Sequence, residues 1–197
     1  MKKQMAYILI VAGLISLVSG VFMLTKNEER ATTEVSGVKK VADLSESEKK
    51  GKDFEDYIVK SFKKNKHFTL EQWQGDKGVD GIYPESNRHP DLKFRFDLHD
   101  QQDFFSVECK WRARPLNGKL QWSEKYQLLQ YQKYSKDKNV PVFIVIGVGG
   151  TPGDPKHLYV IPLGDIKSHI LNDGDIKKYL KTDDRGFYWN VEDKTLS

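Results

Sequence analysis

Cysteine is almost absent from the sequence, and Cys109 is the single one among 197 residues. One thiol excludes an intrachain disulfide and any zinc site built from a cluster of cysteines. Its place on the apolar side of an alternating segment predicts a core thiol rather than a nucleophile. The five histidines show no metal-ligand spacing. The glycines of residues 147–153 lack the Gly-Lys-Ser/Thr ending of a nucleotide-binding loop, so we interpret that segment as a turn.

An excess of acidic residues is also absent, and the formal net charge is +4. This balance mildly favours a polyanionic partner, either nucleic acid or anionic lipid. With 38% hydrophobic residues, the chain is long enough for one domain with a real core and appendages.

Only one apolar stretch is long, namely the uncharged residues 5–24. A run of about 20 such residues can span a bilayer as a helix. We therefore predict a transmembrane helix over residues 1–25 and a polar linker over residues 26–43. The alternative is a cleaved secretory signal peptide. Basic residues flank both ends of the run, so the orientation of the predicted helix is poorly set.

The remaining residues 44–197 are predicted to form one α/β domain. Helical spacing of apolar residues predicts a first helix over residues 44–65, which Ser45 or Ser47 can cap. A second helix is expected over residues 121–137 and a short one over residues 165–171. Apolar alternation or a continuous apolar run predicts strands at residues 68–74, 92–99, 104–111, 140–148 and 157–161. This order predicts an α/β sandwich around a mixed sheet.

Three segments carry more specific expectations. In residues 68–74, regular alternation predicts that Phe68, Leu70 and Gln72 share one face and that Trp73 lies on the other. Residues 140–148 are apolar on both faces, which indicates a fully buried strand. Residues 174–197 are expected to be a terminal packing segment.

The strand at residues 104–111 carries charge on one face and apolar side chains on the other. Cys109 and its alternate neighbours point one way, whereas Ser106, Glu108 and Lys110 point the other way. Asp91 opens the preceding strand, and residues 100–103 predict a hairpin turn that brings Asp91 close to Glu108. Two carboxylates beside a lysine suit a magnesium site that hydrolyses phosphodiesters. Lys110 would orient the attacking water or stabilise developing negative charge.

Four short motifs fall in order on these predicted elements. They are Gly51-Lys52-Asp53-Phe54-Glu55, His89-Pro90-Asp91, Glu108-Cys109-Lys110 and Gln127-Leu128-Leu129-Gln130-Tyr131. With them, residues 44–163 resemble the restriction-endonuclease-like nucleases, the PD-(D/E)XK superfamily, as a membrane-anchored bacterial-type member. The resemblance implies an αβββαβ core, with residues 164–197 as a C-terminal extension. It also implies a Mg²⁺-dependent DNA endonuclease in which Mn²⁺ substitutes for Mg²⁺.

The resemblance assigns the metal to Asp91 and Glu108, with Glu55 completing the site and Lys110 as the catalytic lysine. Asp80 and Asp76 compete with Asp91 for the place of the metal-binding aspartate. We prefer Asp91, because Pro90 precedes it and because it lies at the start of a predicted strand.

Nucleic-acid contacts are expected from a basic loop and from the second helix. Arg112 and Arg114 follow Lys110 directly and could neutralise phosphates. Gln127 and Tyr131 are the motif residues of that helix. For the tryptophans, including Trp73 and Trp111, we favour core packing over base stacking.

The predicted function is therefore a membrane-tethered nuclease whose soluble domain lies in the cytoplasm, because the lone cysteine and the expected DNA substrate both favour that side. A periplasmic or secreted domain stays open. The alternative function is a catalytically inactive module that kept the nuclease fold and binds nucleic acid or a membrane surface.

Overall fold

The computed structural model describes residues 45–74 and 89–197. The chain divides into two units, Met1–Asp43 and Leu44–Ser197, and every described residue belongs to the second unit. The predicted transmembrane helix and linker lie outside the described residues, as do Asp76 and Asp80. Within the two described ranges, no helix is both long enough and apolar enough to cross a bilayer.

Two helices flank a five-stranded sheet. The helices are α1 (Glu46–Phe62) and α2 (Lys125–Lys138), and the strands are β1 (Phe68–Trp73), β2 (Leu92–Leu98), β3 (Gln101–Arg112), β5 (Val142–Thr151) and β6 (Asp154–Pro162). Smaller pairs are β4 (Lys119–Gln121) with β7 (Ile170–Asn172) and β8 (Trp189–Asn190) with β9 (Thr195–Leu196), and a four-residue helix, α3 (Asp173–Ile176), follows β7.

The sheet is mixed, in the order β1-β2-β3-β5-β6. Strands β3 and β5 are parallel, and the other neighbours are antiparallel. A parallel pair needs a crossover connection, and α2 supplies it. The predicted mixed α/β architecture with flanking helices is therefore confirmed.

Each face of the sheet buries a separate apolar core. On the first face, α1 packs through aromatic side chains, and Phe62 stacks on both Phe94 and Phe187. On the second face, α2 packs over β5 and β6 through Leu128, Tyr131 and Tyr134. Strand β5 contributes to both cores, which confirms the prediction that its apolar run is buried on both sides.

The cap of α1 fixes its start, and a close contact with β5 fixes its distance from the sheet. Ser45 and Glu48 form a reciprocal capping box, so the predicted cap at Ser45 is confirmed. Further along α1, the ring of Phe54 lies over Gly147, where an added Cβ would stand 2.5 Å from Phe54 Cε2. The missing side chain at Gly147 lets this part of α1 approach the sheet closely. Glu55 is held near the sheet edge as a result.

Strand β1 contains a β-bulge that corrects the predicted alternation. Leu70 lies opposite Phe94, but Gln72 lies opposite Lys93 and Trp73 lies opposite Leu92. The extra residue, Glu71, reverses the parity of the residues that follow it. The prediction that Gln72 shares a face with Phe68 and Leu70 is therefore wrong, and Trp73 lies on the α1 side instead.

Several predicted element boundaries were wrong. The β2–β3 turn consists of His99 and Asp100, with His99 at φ 53°, and β3 already begins at Gln101. Helix α2 begins at Lys125, because Lys119–Gln121 pair with β7 and Glu124 is the N-cap residue of the helix. That same pairing makes Ile170–Asn172 a strand, so a helix over residues 165–171 is not formed.

The structure also tests the predictions for the glycine-containing residues 147–153 and for the C-terminal residues 174–197. Strand β5 runs to Thr151, so the turn predicted over residues 147–153 is reduced to Pro152 and Gly153. In the C-terminal segment, Phe187 and Trp189 are buried in the α1-side core. Its prediction as a packing segment is confirmed.

Candidate functional site

The candidate site forms where β3 extends past the start of β2. Strand β2 begins at Leu92, opposite Val107, while β3 continues to Arg112. Just before β2, the Asp91 carboxylate accepts a hydrogen bond from the backbone N–H of Cys109, with Oδ2 2.8 Å from the nitrogen. In return, the backbone N–H of Asp91 donates to Glu108 Oε2 at 3.3 Å. This reciprocal pair brings the two predicted metal-binding carboxylates together.

The carboxylate of Glu108 is buried between β3 and α2, with 1% of its surface exposed. Its Oε1 accepts a hydrogen bond from the Tyr131 hydroxyl at 2.6 Å and forms an ion pair with the Lys110 ammonium. Burial of a carboxylate is costly unless it is paired and hydrogen-bonded, and these contacts meet both conditions. Tyr131 is itself buried, so the structure places it inside the site rather than on the surface.

The proton positions in this cluster follow from its charges. Burial on its own lowers the pKa of Lys110, but the carboxylates of Glu108 and Asp91 outweigh burial and raise that pKa above its ordinary value. Burial raises the pKa of Tyr131, and the charges of Glu108 and Asp91 raise it further. Lys110 is therefore a cation near neutral pH, and Tyr131 is a neutral donor.

Glu55 approaches the same edge from α1. Its Oε2 accepts a hydrogen bond from Trp73 Nε1 at 2.6 Å, and the Lys52 ammonium lies 5.3 Å from the centroid of the Trp73 ring. Burial raises the pKa of Glu55 to about 7, and the charge of Asp91 adds to this rise. The hydrogen bond from Trp73 acts in the opposite direction. Trp73 lies opposite Leu92, the residue after Asp91, so this hydrogen bond brings Glu55 to the edge of the sheet where Asp91 lies.

The donor chemistry of this cluster fits a hard divalent cation. Glu55, Asp91 and Glu108 offer carboxylate oxygens, the ligands that Mg²⁺ prefers. Three carboxylates outnumber the single ammonium of Lys110, so the cluster has acidic groups to spare for a divalent cation. Among residues 45–74 and 89–197, however, no group of three His, Cys, Asp or Glu side chains converges closely enough to hold an ion as it stands. Glu108 Oε1 is directed at Lys110 and Tyr131, so the carboxylates must turn to share a cation.

Arg112 and Arg114 have different surroundings. The guanidinium of Arg112 donates to three backbone carbonyls, with Nε 2.7 Å from Gln121 O and the other nitrogens 2.9 Å from Trp111 O and Trp122 O. Arg112 thus fastens the loop after β3, and its phosphate contact stays a prediction. Arg114 is exposed and has no hydrogen bond or ion pair within the described part of the chain.

Gln127 has a structural partner at the beginning of α2. Its Oε1 accepts a hydrogen bond from the backbone N–H of Glu124 at 2.8 Å, which helps to start the helix. Its predicted contact with nucleic acid is untested.

Sequence reasoning missed two features of the site, namely the place of Trp73 and the pairing of Ser106 with Tyr134. Trp73 was assigned to the wrong face of β1, because the bulge leaves no clear sign in an alternating sequence. Ser106 and Tyr134 form a second buried polar pair, with their oxygens 3.1 Å apart. A usable signal existed for this pair, since Ser106 shares the polar face of Glu108 and Tyr134 follows Tyr131 by one helical turn.

No protein-family model matches the sequence, and no curated protein matches it significantly. Among solved structures, the chain is similar to Archaeoglobus fulgidus Hjc, a Holliday junction resolvase from an archaeal hyperthermophile. The similarity has a TM-score of 0.46 and 14% sequence identity, and it covers 66% of this chain and 95% of that one. At this TM-score the likeness carries no conclusion about function.

Proposed function

We propose that this protein is a metal-dependent nuclease that hydrolyses phosphodiester bonds in DNA, with an active site of the PD-(D/E)XK type. The observation that carries the proposal is a pair of hydrogen bonds between Asp91 and β3. The Asp91 carboxylate accepts one from the backbone N–H of Cys109, and the backbone N–H of Asp91 donates the other to the Glu108 carboxylate. Together they place two carboxylates and Lys110 at one edge of the sheet. A site that only bound phosphate would gain nothing from carboxylates that repel it.

The site residues have two roles in this proposal, which are to bind a cation and to stabilise negative charge. Asp91, Glu108 and Glu55 would hold Mg²⁺ or Mn²⁺. When bound, such an ion supplies Lewis acidity, which lowers the pKa of water and neutralises charge on the phosphate. Lys110 keeps a fixed positive charge beside Glu108, where it can orient the attacking water and stabilise negative charge as it develops on the phosphate oxygens.

Two further residues keep these groups in place. The Tyr131 hydroxyl holds Glu108 Oε1, and the backbone N–H of Cys109 holds Asp91 Oδ2. Partners of this kind orient the groups that bind metal, and their loss usually weakens metal affinity or activity.

The family resemblance extends the proposal to the substrate and to the location. It favours internal cleavage of DNA. The apolar residues 5–24 favour attachment to a membrane, and the lone cysteine and the expected DNA substrate favour the cytoplasmic side for the nuclease domain. Both parts are proposals that rest on the sequence.

The test is a cleavage assay with the full-length protein on linear, circular and single-stranded DNA and on RNA, with Mg²⁺ or Mn²⁺. Glu108→Gln and Lys110→Met should abolish cleavage. The exposed Glu192→Gln, in the turn between β8 and β9, is the matched control and should cut like the wild type. Cleavage of circular DNA would identify an endonuclease.

Two results would overturn the proposal. One is a folded wild-type protein that cleaves none of these substrates with either metal. The other is salt-dependent DNA binding that Glu108→Gln does not change and that is never accompanied by turnover, which favours the inactive binding module.

A further inference from the structure

We propose that Trp73 is a positioning residue whose indole N–H holds the Glu55 carboxylate in the metal-binding cluster. The inference rests on the proposed function, because it assumes that Glu55 takes part in holding a cation. It adds a residue that none of the sequence motifs contains. The hydrogen bond from Nε1 to Glu55 Oε2, at 2.6 Å, is the contact that does this.

Core packing does not account for Trp73. Its side chain is 39% exposed, and it belongs to neither of the two apolar cores in the described part of the chain. A large apolar ring at the surface gains little from burial, so a smaller residue could end β1 equally well. The specific feature that tryptophan brings to this position is an N–H donor on a wide, rigid ring.

The backbone of β1 is shaped so that this donor reaches Glu55. The bulge between Leu70 and Gln72 places Trp73 opposite Leu92, on the side of the sheet that α1 covers. A regular strand would present Gln72 on that side and would turn Trp73 away from α1. The irregularity therefore serves the contact between Trp73 and Glu55, and bulges commonly redirect side chains next to functional sites.

A second contact fixes the indole ring. Lys52 and Glu55 are neighbours on one face of α1, three residues apart, and the Lys52 ammonium lies over the ring of Trp73. Such a cation–π contact restrains the ring at its face while the hydrogen bond restrains it at its edge. Lys52 thus fixes the ring of Trp73, and Trp73 in turn holds the carboxylate of Glu55.

Glu55 needs such a support because of what surrounds it. It has several rotatable bonds, and the negative charge of Asp91 favours turning its carboxylate away from the cluster. The indole holds Oε2, whereas Oε1 has no hydrogen-bond partner within the described residues. Glu55 is thereby kept facing the cluster with one oxygen available for a cation.

The test compares Trp73→Phe with wild type by measuring Mn²⁺ affinity of the full-length protein without DNA, for example by titration calorimetry. The substitution keeps an aromatic ring and removes the N–H donor. We expect Mn²⁺ affinity to fall by about 10- to 100-fold, the usual effect of losing a group that orients a metal ligand. The matched control is Trp111→Phe, which removes an indole N–H bound only to Gly149 O at 3.3 Å and should leave Mn²⁺ affinity unchanged.

A second measurement does not depend on how well Trp73→Phe folds. In a ¹⁵N-labelled wild-type protein, the indole N–H signal of Trp73 should broaden on addition of Mn²⁺ and should shift in Glu55→Gln. A signal that stays sharp and unshifted at saturating Mn²⁺ would overturn the inference.

The outcomes separate this inference from the nuclease proposal. If wild type binds Mn²⁺ and cleaves DNA while Trp73→Phe binds Mn²⁺ equally well, the positioning role is wrong and the nuclease stands. If wild type neither binds Mn²⁺ nor cleaves, the nuclease proposal itself is wrong.

Discussion

The Asp91 carboxylate accepts a hydrogen bond from the backbone N–H of Cys109, the residue between Glu108 and Lys110. A side chain proposed to hold a metal therefore also closes the end of the β2–β3 ladder. Stability and the proposed activity therefore depend on the same contact, and suitable substitutions should separate them.

Asp91→Ala should abolish cleavage and lower the free energy of unfolding by about 1–3 kcal/mol, because the Cys109 N–H loses its acceptor. Asp91→Asn should also abolish cleavage, but it keeps an oxygen acceptor and should cost less than about 1 kcal/mol. Urea unfolding measures the difference between the two variants. Equal stability of the two would show that the contact has no structural role.

Asp80→Ala is the companion variant for the choice of aspartate, and it should keep cleavage. If Asp80→Ala abolished cleavage while Asp91→Ala retained it, the assignment of Asp91 as metal ligand would be wrong.

Gly147→Ala should disturb the site from the opposite face of the sheet. The new Cβ would lie 2.5 Å from Phe54 Cε2 and would push on the residue next to Glu55. Overpacking of this kind costs about 1–3 kcal/mol, and we expect a higher Mg²⁺ concentration for half-maximal cleavage. Gly153→Ala is the matched control, because nothing lies within 4 Å of its added Cβ. Unchanged Mg²⁺ dependence in Gly147→Ala would contradict the role of this contact in placing Glu55.

The two arginines after Lys110 should give different results. Arg114→Ala should weaken DNA binding similarly for all sequences and reduce the slope of log affinity against log salt by about 1. Arg112→Ala should mainly lower the free energy of unfolding, because three backbone carbonyls lose their donor. Fluorescence anisotropy at several salt concentrations and thermal unfolding distinguish the two effects. A salt slope that changes only in Arg112→Ala would reverse the assignment.

The alternation of β3 and the hairpin were sufficient to predict which residues lie together at the centre of the candidate site. Glu108 and Lys110 share a face because strand side chains repeat every two residues, and the hairpin places Asp91 beside them. These relations are local in sequence, so periodicity and turn residues reveal them. The apolar run of β5 was equally informative, because a strand buried on both sides needs no polar face.

What the sequence did not reveal depends on pairings between distant residues. The strand at Ile170–Asn172 exists because it pairs with Lys119–Gln121 across about 50 residues, and local propensity carries no sign of that partner. Likewise, the buried position of Tyr131 follows from how α2 crosses the sheet and not from its motif. The role of Gly147 required knowledge of which helix lies above it.

Asp103 should make the attachment of the C-terminal hairpin dependent on pH. It accepts hydrogen bonds from Trp189 Nε1 at 2.9 Å and from the Lys194 ammonium at 2.7 Å. Burial on its own raises the pKa of Asp103, but these two contacts outweigh burial and hold the pKa below its ordinary value. A lowered pKa stabilises the folded state above the pKa of the unfolded chain, and the gain is lost as the pH falls through the pKa of the folded state.

Asp103→Asn keeps an acceptor for Trp189 and loses the ion pair, so it should cost less than about 1 kcal/mol at pH 7. Urea unfolding at pH 7 and near pH 2 should show this difference at the higher pH and a smaller one at the lower pH. A difference that is constant with pH would show that the charge of Asp103 does not contribute.

The bulge in β1 makes the length of that strand, and not only its composition, decide which side chain faces Glu55. Removing one residue between Leu70 and Gln72 would leave the amino-acid content almost unchanged, yet it would exchange the faces occupied by Gln72 and Trp73. In a diverging lineage, a single-codon deletion there would separate Trp73 from Glu55 in one step. If Trp73 were instead replaced by substitution, another residue would have to donate a hydrogen bond to Glu55.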